Sequence, residues 1–348
     1  MNRRAFLEGF FAASTVLYGG HYMWRRVQHP LVLTPPAGDS IAAVSTASSA
    51  TAAPGTVIHA GPAVPPPGAG RFEFTPIDVK LSVGGQALPV PAPPIRTDSG
   101  FDLNRLSDDE VSRYLTKIRN FDAIFASDIY LDVRYEKTLL STTQRLARLE
   151  GHIGHGNFNL IGFDEMLQYA NNFPRIGRFT QDELTFIEEV FFTDPTRYGF
   201  FGNKVTRDLT DSLPRSDIIK IPRSGHFLLK GESLNLYNKL KADVGDQLVL
   251  TSGVRSVVKQ LHLFLAKTVE ANGNLSRASR SLAPPGHSYH GVGDFDVGRI
   301  GLGEKNFTAD FSRTPEYQKI AGLGYVNIRY PTDNLFGVRF EPWHIKLS

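Results

Sequence analysis

Apolar and polar positions along this chain change their period several times, and each change marks an element. Ile77, Val79, Leu81 and Val83 alternate with Asp78, Lys80 and Ser82, the period of a half-buried strand, and Gly84-Gly85 offers a two-residue turn before Ala87 to Val90. A short hairpin is expected there, stopped by Pro89, Pro91, Pro93 and Pro94. From Val111 the spacing turns helical through Tyr114, Leu115 and Ile118, and Ser107-Asp108-Asp109-Glu110 suits a capping box ahead of it. Thr180-Gln181-Asp182-Glu183 repeats the signal before Leu184, Ile187, Val190 and Phe191, so residues 101–224 read as mostly helical. Beyond Gly225 the pattern is mixed. Leu234 to Leu240 makes a helix face, Gln247 to Ser252 a short strand, Val257 to Ala271 a helix, Pro315 to Leu323 a short helix and Gly337 to Leu347 a terminal strand. Asn272 to Pro285 reads as a basic flexible loop and Gly298 to Thr314 as a second loop. The expected class is α+β: a small antiparallel sheet flanked by helices over 225–348, preceded by the helical region.

Composition narrows the chemistry. The chain has 348 residues, 41% of them apolar and 21% charged, which is a globular balance. A net charge of +3 supplies no field that would favour nucleic acid as a partner. With no cysteine, disulfide scaffolds, cysteine nucleophiles, thiolate zinc sites and iron-sulfur clusters are all excluded, so any metal must be held by His, Asp or Glu.

The amino terminus reads as an address. Arg3 and Arg4, with Phe6 and Leu7, precede an apolar run from Gly9 to about Trp24, and this resembles a twin-arginine export signal. Arg25 and Arg26 follow the run directly and no small-x-small cleavage site sits beside it, so residues 1–28 are expected to act as an export signal or a membrane anchor. Residues 29–70, rich in Pro and Ala with Asp39 and His59 as almost the only ionisable side chains, read as a tether, and 71–100 as the hairpin and a linker. The expected location is outside the cytoplasm, in the periplasm or cell envelope, with association to the inner membrane through the first segment.

Three islands in the last region hold polar residues that a core would not choose: Ser252-Gly253-Val254-Arg255-Ser256 with Gln260, Ser288-Tyr289-His290 with Asp294-Phe295-Asp296-Val297-Gly298, and Glu341-Pro342-Trp343-His344. Metal-assisted hydrolysis by zinc needs three protein ligands, an open position for water and a carboxylate to take the water's proton. Two His and one Asp meet that count. Glu341 and His344 would fall on opposite faces of a regular strand, but Pro342 between them cannot donate to a ladder, so an irregular or edge strand is expected there. His152 and His155 stand in a Gly-rich stretch with no evident carboxylate partner, and are read as turn residues. Trp343 and Phe340 are read as packing behind the strand.

The islands resemble the zinc D-alanyl-D-alanine carboxypeptidases of the peptidase M15 family, which share a zinc fold with hedgehog and lysostaphin-type proteins. The resemblance covers Gly253 to Ser348 directly and leaves the helical region without a counterpart. It implies that His290, Asp296 and His344 bind Zn²⁺, that Glu341 is the general base, and that Arg255 binds and polarises the substrate carbonyl or carboxylate. It puts Ser288 and Gln260 on substrate-binding positions. The interval from His290 to Asp296 is one residue shorter than the family usually shows, and His287 with Asp294 would restore it. Both pairs remain candidates, with His290 and Asp296 preferred because Ser288 keeps its place before the His and Val297-Gly298 follows the Asp; Asp294 is then left to the loop or substrate rim. The implied activity is hydrolysis of the bond next to D-alanine in peptidoglycan stem peptides. A murein endopeptidase, an L,D-carboxypeptidase and a non-catalytic zinc-stabilised binding module are the alternatives.

Overall fold

The computed structural model of this protein describes residues 71–72 and 107–347. The expected signal or anchor, tether and hairpin lie outside the described residues. Strand β1, Arg71–Phe72, pairs in parallel with β2, Tyr130–Leu131. Between them in sequence, helix α1, Asp108–Arg119, begins where the Ser107 hydroxyl accepts the Glu110 amide and the Glu110 carboxylate accepts the Ser107 amide at 2.9 Å. Helices α2 (Glu136–Ile153), α3 (His155–Phe158), α4 (Phe163–Asn172) and α5 (Gln181–Phe192) follow. The second expected capping box, Thr180 with Glu183, starts α5. Glu183 does more than cap, because Arg145 of α2 grips it through both oxygens at 2.8 and 3.2 Å, tying the two helices together.

A short antiparallel pair, β3 (Ile218–Lys220) with β4 (Phe227–Leu229), leads into α6 (Glu232–Val244). Then come β5 (Leu248–Ser252), α7 (Val257–Glu270), α8 (Leu275–Ser281), β6 (Phe295–Arg299), α9 (Pro315–Gly322), β7 (Asn327–Tyr330) and β8 (Glu341–Lys346). Four of these strands form an antiparallel sheet in the order β5-β6-β8-β7. The class is α+β, as the pattern of elements implied.

Two apolar cores hold the elements. Leu248 and Leu250, Phe295 and Val297, and Trp343 and Ile345 alternate along β5, β6 and β8 and pack with Tyr237 and Leu240 of α6 and with Phe307 and Phe311. The other core joins Leu146 and Leu149 of α2 and Phe186 and Ile187 of α5 to Val258, Leu261, Phe264 and Leu265 of α7. The helical region and the carboxy-terminal region thus share one core.

Two segments read as loops are ordered otherwise. Within 272–285, the Asn274 side chain accepts from the Arg277 amide at 2.8 Å and starts α8, whose Arg280 is buried against Asp128 at 2.7 Å. The partner of that arginine is 152 positions away, so a basic stretch looked like a solvated loop. Residues 298–314 coil into two 3₁₀ turns, Gly303–Phe307 and Ala309–Arg313, that bury Phe307 and Phe311.

Candidate metal centre

Sheet register brings the islands together. Ser252 of β5 lies opposite Asp296 of β6, and Asp296 lies opposite His344 of β8. Because Phe295, Val297, Trp343 and Ile345 take the core face, alternation sends Asp296 and His344 to the other face. The strand carrying Glu341 is internal rather than at an edge, and it is irregular: between Tyr330↔Glu341 and Ile328↔Ile345, β8 contains two more residues than β7. That bulge, around Pro342, turns Glu341 towards His344, with Oε2 3.1 Å from Nδ1.

Ligand atoms of His290, Asp296 and His344 all lie within 4.8 Å of one another, and all three residues are buried. His290 Nε2 is 3.3 Å from Asp296 Oδ2, and His344 Nδ1 is 3.6 Å from Asp296 Oδ1. Asp296 Oδ1 has no hydrogen-bond partner. A buried carboxylate that faces one imidazole nitrogen with each oxygen, one of those oxygens unpartnered, is an arrangement that a cation satisfies. Among the described residues, this is the group of His and acidic side chains placed to hold a metal ion.

Each imidazole is oriented from behind. The Gly253 carbonyl, which can only accept, takes the Nδ1–H of His290 at 2.8 Å and leaves Nε2 facing Asp296. Gly253 is required by a close approach: a Cβ there would collide with the Phe227 carbonyl oxygen, which accepts the Val254 amide. Asp294 Oδ2 takes the Nε2–H of His344 at 3.1 Å, leaving Nδ1 facing Asp296 and Glu341. Asp294 is itself held by Arg329 at 2.7 and 2.9 Å and by the Leu347 amide at 2.8 Å. It is only 1% exposed at the end of the loop that enters β6, so it is buried behind His344 and is not part of a substrate rim.

Charge follows from these contacts. Burial alone would raise the Asp294 carboxyl, but the hydrogen bonds from His344 and Arg329 bring it down to about 2. Burial would likewise raise Asp296, and His290, His344 and Arg255 hold it below the usual carboxylate range. Burial and the Arg255 charge lower His290, which keeps that imidazole neutral. For His344, burial is outweighed by Asp294 and Glu341, and its pKa rises to about 9. The cluster is built around positive charge.

Arg255 stands over it, with Nη2 3.0 Å from Ser252 Oγ and 3.5 Å from Asp296 Oδ2, and Nη1 3.0 Å from Gln260 Oε1. Gln260 donates its amide to the Ala283 carbonyl, so its oxygen is aimed at the guanidinium. The Arg255 amide donates to the His290 carbonyl, which joins the first two islands through the backbone. Ser288 is buried two residues before His290. His287 is not at the cluster; its Nδ1 lies 3.0 Å from the Gly202 carbonyl and its ring meets Phe200 edge-on. His152 is an exposed ring against Phe173, and His155 opens α3 beside a carboxylate that sequence reading overlooked, Glu150, at 2.9 Å.

Two further residues escaped the sequence reading. Arg329 grips Asp294 and lies over the Tyr289 ring at 3.8 Å, and Tyr330 meets the His344 ring edge-on at 5.1 Å. The alternation of Ile328 and Tyr330 with Asn327 and Arg329 was a strand signal that could have placed them.

No curated protein matches the chain. Among solved structures, the LdcB LD-carboxypeptidase, studied for peptidoglycan recognition, is 21% identical, covering 38% of this chain and 69% of its own with a TM-score of 0.34. A mutant vancomycin-resistance D,D-pentapeptidase VanY in complex with Zn(II) is 22% identical, covering 41% and 84%, with a TM-score of 0.31. VanYB in complex with D-alanine-D-alanine is 24% identical, covering 37% and 75%, with a TM-score of 0.30. Residues 231–347 match the family model described as VanY, D-alanyl-D-alanine carboxypeptidase, and this span contains the whole four-stranded sheet and every residue of the cluster.

Proposed function

We propose that this protein is a zinc-dependent peptidase that hydrolyses the peptide bond next to D-alanine in peptidoglycan stem peptides, as a D,D-carboxypeptidase. The observation that carries this reading is the convergence of His290, Asp296 and His344 within 4.8 Å in the segment matched by the VanY family, with Asp296 Oδ1 unpartnered among them. Two imidazole nitrogens and one carboxylate oxygen fit zinc and leave one of its four positions open. Zinc held there would supply a water of pKa ~7 and a Lewis acid for the scissile carbonyl.

The chain's own residues do the rest. Gly253 and Asp294 hold the two imidazoles so that His290 Nε2 and His344 Nδ1 face the cation position, His344 giving up its Nδ1 proton to bind. Glu341, on the bulge of β8 and beside His344, takes the proton of the attacking water and delivers it to the leaving amine. Arg255, its fork held by Ser252 and Gln260, stabilises the negative charge that develops on the carbonyl oxygen. Ser288, two residues before His290, remains the candidate for the substrate side, whereas Gln260 acts through Arg255. No side chain is acylated in this scheme, so β-lactams, which trap serine nucleophiles, are expected to leave turnover unchanged. The twin-arginine-like segment and the tether read from the sequence support an exported catalytic region in the cell envelope, where stem peptides are. The test is incubation of the purified protein with stem pentapeptides and tetrapeptides, with and without a chelator, followed by mass analysis. Release of one D-alanine from the pentapeptide, abolished by the chelator and restored by zinc, supports the reading; cleavage of cross-links or of the tetrapeptide alone redirects it, and no cleavage refutes it.

A further inference from the structure

We infer that Glu150, in the helical region and outside the matched segment, is a positioning residue for Arg255; this rests on the peptidase reading given above. Glu150 lies in the last turn of α2 and is 2% exposed. Its Oε1 accepts from Lys259 Nζ at 2.8 Å and from His155 Nδ1 at 2.9 Å, and its Oε2 lies 2.9 Å from His262 Nδ1. Burial alone would raise this carboxyl, yet these three neighbours hold it well below the usual carboxylate range, so it is an anion throughout the working pH of any such enzyme.

Lys259 and His262 belong to α7, whose N-cap, Ser256, directly follows Arg255. The first turn of that helix is therefore fastened to the helical region from one side. The Ser256 amide donates to the Asn159 carbonyl at 2.8 Å, and the Ser256 hydroxyl caps the helix by accepting the Lys259 amide at 3.2 Å. Phe158 lies under both partners, 5.4 Å from Lys259 Nζ and edge-on to the His262 ring at 5.6 Å. Lys259 is the neighbour of Gln260, whose oxygen holds Arg255 Nη1. Backbone steps along a helix are rigid at 1.5 Å per residue, so a shift of Lys259 carries Gln260 and Ser256 with it and moves the guanidinium.

A buried ion pair adds little stability over apolar side chains of the same volume, but it accepts few geometries. Here the geometry it selects is that of the turn between β5 and α7. The helical region thus serves the reaction by setting where Arg255 points, and the segment 225–348 depends on it for a competent site.

The test has two arms in the full chain. In Glu150→Gln, hydrogen exchange of peptides spanning 252–260 should quicken while those spanning 339–346 stay unchanged, and zinc content should be that of the wild type. In the same variant kcat/KM on a stem pentapeptide should fall roughly tenfold, whereas adding Glu150→Gln to Arg255→Ala should cost less than about twofold, because contacting residues that act through one group are not additive. If Glu150→Gln leaves a poorly folded protein through the orphaned Lys259 charge, Glu150→Gln with Lys259→Met removes both charges and should show the same exchange and kinetic pattern. Unchanged exchange at 252–260, or an equal loss in the Arg255→Ala background, overturns the proposal while leaving the peptidase reading intact. A wild-type protein without turnover overturns the peptidase reading, and the exchange arm still decides whether Glu150 holds the Arg255 turn.

Discussion

Asp294 and His344 meet at 3.1 Å, Oδ2 to Nε2, on the opposite nitrogen from the one that faces Glu341 and Asp296. Two aspartates separated by one residue therefore address the same imidazole from its two ends. Asp296 shares the inner side with the second histidine, and Asp294 steadies the outer side with Arg329 behind it.

This division makes the two carboxylates separable by metal affinity. Asp296→Asn removes the anionic oxygen of the ligand set and is expected to abolish stable zinc binding. Asp294→Asn keeps the ligands and loosens the orientation of one, which should weaken zinc about 10- to 100-fold. His287→Ala should leave the affinity unchanged, since that ring packs on Phe200 and Gly202. Competition with a fluorescent zinc chelator reads all three. Loss of metal in His287→Ala, or full affinity in Asp296→Asn, would reverse the assignment.

Glu341→Gln should retain one zinc per chain and lose ~10² to 10⁴-fold in kcat, the usual contribution of a general base. Metal analysis and turnover on the same preparation check it. A variant with ordinary rates would move the protein to the class of binding modules.

Arg255→Lys replaces a planar fork by a point charge, and the fork is what Ser252 and Gln260 are placed to hold. The expected result is a loss of kcat/KM with zinc content unchanged. Rates within about twofold of the wild type would remove Arg255 from the chemistry.

Asp128 and Arg280 make a pH prediction away from the site. Burial would raise the Asp128 carboxyl, but Arg280 and Asn274 outweigh it and its folded pKa is depressed. A depressed carboxylate contributes stability that is present above its unfolded pKa of about 3.9 and is lost as the pH falls through the folded value. Asp128→Asn should cost about 3 to 5 kcal/mol at neutral pH, because Arg280 is left buried without its partner. Its further loss on acidification below about pH 4 should be smaller than that of the wild type. Denaturant titrations at the two pH values decide it.

Replacing Arg3 and Arg4 together by Lys is expected to leave the protein in the cytoplasm, and the native protein is expected to sediment with membranes through residues 5–24. Soluble periplasmic protein starting near Ala50 would refute the anchor and spare export. Among the described residues no helix is long and apolar enough to cross a membrane.

Some of this was legible from local chemistry. The capping boxes at Ser107 and Thr180, the helices around Leu240 and Leu261, the strand at Leu248 and the α+β class follow from period and side-chain type, which act within a few residues. The three polar islands stood out because a core does not select such residues, and their order along the chain carried the family resemblance.

What the tertiary structure alone decided are the relations between distant residues. Which aspartate lies opposite His344 in the sheet depended on the register of β6 against β8, and alternation within 294–296 could not choose because both carboxylates share its parity. The turn of Glu341 towards His344 came from a bulge, which appears only against a partner strand. Arg280 stood in a stretch read as a flexible loop and Glu150 was not singled out, since burial of a charge is tolerable only when a partner arrives from elsewhere in the chain. Sequence fixes side-chain chemistry and its short-range period, whereas desolvation and charge pairing depend on what folding brings within a few ångströms.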